Sequence, residues 1–135
     1  MTIIGMQFDK ISVEKMNPLV GKVSINNNVT IKKLEKTQIT LGKNKQDVLR
    51  FTYEYKADYE PKIALITLLG TLTYLEKPEK IEELLKQWKK DKNLPKEILT
   101  PILNNIYTKC NVQALVMARE INLPPPIQLP KVTLK

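Results

Sequence analysis

The apolar residues of this chain change period once, close to Pro78. Upstream they recur at every second position, and downstream at every third or fourth. A block of strands followed by a block of helices is the pattern of an α+β domain. The 135 residues fit a single domain spanning 1–135.

The strand pattern is clearest over 47–57. Leu49, Phe51, Tyr53, Tyr55 and Ala57 alternate with Arg50, Thr52, Glu54 and Lys56, which predicts one buried and one solvated face, with Val48 breaking the alternation. Before it, Val23, Ile25, Val29 and Ile31 share a parity that slips at Leu34 and resumes at Ile39 and Leu41. This predicts one strand with a bulge near 32–36, or two short strands. The polar run 42–46 supplies the turn between these elements. Met6, Phe8, Ile11 and Val13 predict a shorter, irregular first strand. Over 63–75 both parities are apolar, as in a strand covered on both faces.

After Pro78, the acids Glu79, Glu82 and Glu83 precede the lysines Lys86, Lys89, Lys90 and Lys92, in the order a helix dipole favours. Ile81, Leu84, Leu85 and Trp88 form one apolar stripe, so this is a short amphipathic helix ending near 93–95. The last helix starts at Lys96, or at Pro101 with Thr100 as its cap, and runs to about Ile121. Leu99, Leu103, Ile106, Cys110, Ala114, Met117 and Ile121 make one stripe; Ile98, Ile102, Val112 and Val116 make a second, interrupted by Asn105 and Lys109. A helix apolar on so much of its circumference needs cover on more than one side. That predicts a second subunit, or else cover by the proline-rich 122–130 segment, which is extended and not helical.

Composition removes most chemistry. The chain has no histidine, one cysteine and four dispersed glycines. Ser-His-Asp and Cys-His systems, His- or Cys-based metal sites and glycine-rich phosphate loops are therefore absent as motifs. The carboxylate neighbours Asp58 with Glu60 and Glu82 with Glu83 read as solvated charges, so a non-enzyme with no cofactor is expected. A lone thiol and the lack of a leader-like start suggest the cytoplasm. The net charge of +8 leaves a basic nucleic-acid- or ribosome-associated module as the alternative to a polypeptide binder, although no RNP-type aromatic motif accompanies the charge.

Particular segments resemble the SecB export-chaperone family. The strand from Val48 to Tyr55 followed by the apolar run 63–75 is similar to that family's third and fourth strands. The run Leu94-Pro95-Lys96 through Thr100-Pro101 to Tyr107 is similar to the entry to its long helix, and Leu123-Pro124-Pro125-Pro126-Ile127-Gln128-Leu129-Pro130 to the segment after it. The resemblance implies a four-stranded antiparallel sheet with a short amphipathic helix and a long C-terminal helix packed on it. It implies homo-oligomers, a dimer or a tetramer of paired dimers, joined by the long helix and edge strands. It also implies ATP-independent holding of unfolded or precursor polypeptides in apolar grooves under the short helix.

On this basis Ile81, Leu84, Leu85 and Trp88 are candidates for the groove wall, with Leu19, Tyr74 and Leu94 as additions; Ile102, Ile106, Val112 and Val116 are candidates for the subunit interface. Each stripe residue equally suits plain core packing. Two features depart from the family member that delivers clients to the SecA motor: that protein is acidic where this chain is basic, and its trailing C-terminal helix has no counterpart here. Some SecB-like proteins instead guard an antitoxin from degradation.

Overall fold

The computed structural model describes residues 2–18 and 21–126. Four strands precede two helices: β1 (Thr2–Lys15), β2 (Ser24–Leu41), β3 (Asn44–Glu60), β4 (Ala64–Leu75), α1 (Pro78–Asp91) and α2 (Lys96–Glu120). All pairings are antiparallel and the sheet order is β1-β4-β3-β2. The helices cover one face, giving two layers with the core between them.

The alternation of β3 decides which face that is. Leu49, Phe51, Tyr53, Tyr55, Ala57 and Tyr59 are fully buried beneath the helices. Val48 is buried as well, on the opposite parity. Three tyrosine hydroxyls carry polar ties across the core. Tyr53 donates to the Gln7 carbonyl of β1 (3.2 Å), Tyr55 to Asn111 Oδ1 of α2 (3.3 Å), and Tyr59 to the Pro124 carbonyl beyond α2. Gly70 of β4 makes the first tie possible, since a Cβ there would collide with the Gln7 carbonyl and the Tyr53 ring.

Bulges keep the apolar side chains of the long strands facing inward. The slip expected in β2 is a bulge at Lys32, within one continuous strand. The β2–β3 turn is tighter than 42–46: Leu41 pairs with Asn44, and Gly42 takes the positive φ that the turn requires. β1 is 14 residues, longer than its sequence suggests. Register shifts at Ile4 and Asp9 place Ile3, Met6, Phe8 and Val13 on the core side despite their mixed parity.

β4 corrects an expectation. Ala64, Ile66, Leu68, Leu72 and Tyr74 are buried, but Leu65, Leu69 and Leu75 on the other face are half-exposed. Among the described residues no helix covers that second face. α1 begins with Pro78 at its first turn and ends where Lys92 adopts a left-handed φ of 55°, its N–H bonded to the Trp88 carbonyl. α2 starts at Lys96 and keeps Pro101 inside its second turn.

Candidate functional site

α1 directs one stripe downwards. Ile81 and Leu84 are fully buried, Trp88 is 9% exposed, and Leu94 beyond the helix is buried too. Only Leu85 of the proposed wall is half-exposed. Tyr74 lies at the margin of the core, its ring edge-on to Phe51 at 6.5 Å and its hydroxyl 3.4 Å from Glu76 Oε2. Leu19 lies outside the described residues. The wall foreseen from the sequence is therefore mainly the packing face of α1. A helix with one apolar stripe uses that stripe against its own sheet. Its outer face is ionic: Lys36 of β2 pairs with Glu82 at 2.8 Å, which raises the Lys36 pKa and lowers that of Glu82.

The four interface candidates divide between two faces of α2. Ile102 and Ile106 are fully buried against the chain's own sheet, in a row continued by Cys110, Ala114 and Ala118. They correct the sequence reading, because a residue at zero exposure offers nothing to a partner. Val112, 59% exposed, and the half-exposed Val116 lie on the outer side. Between Glu97 and Arg119 the helix has one charge, Lys109. Its outer side therefore presents apolar and amide groups where a solvated helix carries charges.

Two apolar hollows flank that outer side. One, of about 500 Å³, lies between α2 and β1, with Met6, Phe8 and Val112 as its apolar lining and Asn105, Thr108, Lys109 and Gln113 around them. Lys109 Nζ donates to the Met6 carbonyl at 2.8 Å and sits 5.3 Å from the Phe8 ring centre, so the residue that interrupts the apolar row is the clamp between helix and strand. The other, of about 480 Å³, is formed by Leu115, Val116, Ala118, Arg119, Leu123 and Pro125, where the chain leaves α2.

β1 pairs only with β4 among the described residues, so its far edge is open. Ile4 (42%) and Ile11 (45%) stand exposed on it, with Met16 (45%) just after it. The sequence reading missed this edge. Its signal was the change of parity between Phe8 and Ile11, which the bulge at Asp9 produces.

Burial pushes the Cys110 thiol up to about 12, leaving it protonated and inert. No group of three or more metal-ligating side chains occurs among the described residues. Among the described residues, no helix is long and apolar enough to cross a membrane.

Among solved structures, a chain with this topology is the Mycobacterium tuberculosis Rv1957 SecB-like chaperone in complex with a ChAD peptide from the Rv1956 HigA1 antitoxin. The match covers 99% of this chain and 91% of that one, with a TM-score of 0.50 and 9% sequence identity. The fold is SecB-like. No family model matches the sequence, and no curated protein matches it either. The SecB-like fold accounts for the two-layer build, in which the long helix α2 keeps one face for its own sheet and turns the other outwards.

Proposed function

We propose that this chain is an ATP-independent holdase that acts as a homo-oligomer in the cytoplasm and binds unfolded or precursor polypeptides through apolar surface. The observation that carries this reading is the pair of apolar hollows flanking the nearly uncharged outer face of α2, beside an open strand edge. An unfolded segment lacks burial for its side chains and partners for its backbone. An apolar hollow supplies the first and a free edge the second. Each large side chain taken from water contributes about 1.5–3 kcal/mol, so a few weak contacts suffice for binding. The structural neighbour binds a peptide, which agrees with this reading.

In this proposal a second copy packs on Val112 and Val116 of α2, which leaves the β1 edge, with Ile4 and Ile11 exposed on it, for the client backbone. Clients take the hollow at the end of α2 and the surface beside Leu85 and the rim of Trp88. Delivery to an export motor and protection of one dedicated partner such as an antitoxin are both uses of the same holding activity. The nucleic-acid alternative has less support, since the lysines of the sheet are interspersed with acids: Lys32 and Lys56 lie beside Glu54, and Lys33 beside Glu35.

The test is suppression of aggregation of a denatured substrate without ATP. Wild type suppresses it, at salt concentrations that abolish phosphate-driven binding. The double variant Leu85→Glu, Leu115→Glu loses the effect while keeping its solution mass. A wild-type protein that leaves aggregation unchanged refutes the proposal.

A further inference from the structure

The sheet face opposite the helices carries a hollow of another kind. Arg50 of β3 is in register with Thr73 of β4, and Thr71 of β4 with Gln7 of β1, so all four stand on this outer face. With Gly5 and Met6 they line a polar hollow of about 370 Å³. The bulge at Ile4 bends β1 here, and Gly5 leaves open space where a side chain would stand. No lining residue is acidic.

Arginine is seldom withdrawn from water without a partner. Arg50 is half-buried, yet it makes no hydrogen bond or ion pair among the described residues. The acids of the neighbourhood are engaged elsewhere. Glu35, which faces Arg50 across β2, pairs with Lys33 at 3.4 Å. Glu54 pairs with Lys32 and Lys56 at 3.5 and 3.6 Å. Asp9 accepts from Gln7 Nε2 at 3.3 Å. A planar fork of N–H donors is thus left facing a hollow rimmed by two threonine hydroxyls.

We propose that this hollow binds a carboxylate of an acidic polypeptide segment, with Arg50 as the bidentate donor and Thr71 and Thr73 as supporting donors. The guanidinium fork matches the two oxygens of a carboxylate, and such charge-assisted pairs are the strong ones. A polypeptide fits better than a free anion because Leu69, half-exposed two positions from Thr71 on the same face of β4, gives footing to a neighbouring apolar side chain. The net charge of +8 favours an acidic partner. This site uses the face away from the helices and does not depend on the holdase reading.

The experiment measures fluorescence anisotropy of a labelled decapeptide in which two glutamates flank leucines, beside its glutamine counterpart. Arg50→Met weakens the glutamate peptide by about tenfold or more, the range expected for a charge-assisted pair. Arg50→Lys, which keeps the charge without the fork, falls between the two. The urea midpoint of Arg50→Met stays at the wild-type value, because Arg50 has no partner among the described residues to lose. Lys89→Met, which removes an exposed cation on the helical side, binds the peptide as wild type does, which separates this site from the overall positive charge. Equal affinity of wild type and Arg50→Met for the glutamate peptide overturns the proposal. So does equal affinity of wild type for the two peptides, or tighter binding of inorganic phosphate than of the peptide.

Discussion

The two helices lie on the same sheet, yet they face water differently. α1 turns Ile81, Leu84 and Trp88 inward and lysines and glutamates outward, so its apolar side chains are almost fully used by the fold. α2 also buries a row inward, from Ile102 to Ala118, but Leu115, Val116 and Val112 remain on its other side. Amphipathicity therefore describes α1 completely and α2 by half. A helix whose outer side stays apolar after the core is complete has surface for another chain.

The largest expected effect comes from Cys110 of α2 and the tyrosines of β3, which face each other in the core. Cys110 is held neutral in the fold, with its pKa raised from 9.0 to about 12, and burial raises Tyr53, Tyr55 and Tyr59 in the same sense, the last to about 12. Because the folded values lie above the unfolded ones and the neutral form is the folded one, stability is whole below pH 9. It is lost as pH rises towards 12, with a slope of about 1.4 kcal/mol per pH unit for each group. Urea melts across that range check it, and tyrosine absorbance should show these hydroxyls ionising together with unfolding.

Next come the two inward rows. Ile81→Ala and Ile106→Ala should each cost about 2–5 kcal/mol in urea unfolding, since both leave a cavity in a closed core. A much smaller loss at Ile106 would mean that the inner row of α2 is not core.

Smaller still is the clamp. Lys109→Met removes the donor to the Met6 carbonyl and should cost about 1 kcal/mol, read from the same melts.

The smallest effect on stability is the most telling for the comparison. Val112→Lys should change the urea midpoint by less than about 0.5 kcal/mol, as an exposed substitution does, while sedimentation shows the mass falling to that of one chain. An unchanged mass would leave the outer side of α2 without its proposed role.

Much of the fold was legible before any coordinates. The alternation from Leu49 to Ala57 marked β3 and its buried face, and the stripe from Ile81 to Trp88 marked α1. β1 was harder, because bulges at Ile4 and Asp9 scramble the parity that identifies a strand face. The candidate site was read least well. Ile81, Leu84, Ile102 and Ile106 carry the spacing of a contact surface, yet they are core, since the same spacing serves both ends. Arg50 looked like an ordinary solvated alternate of a strand, and its lack of a partner among the described residues is visible only when its neighbours across three strands are known.

What the sequence by itself determined is the class of each element and which residues share a side of it, because backbone geometry ties side-chain direction to position along the chain. The tertiary structure alone decided which of α2's two apolar sides meets the sheet. Small residues at Cys110, Ala114 and Ala118 belong to the row that packs against the sheet, and the bulkier Leu115 and Val116 lie towards the outside. Periodicity is a property of one element, whereas burial is a property of two surfaces meeting.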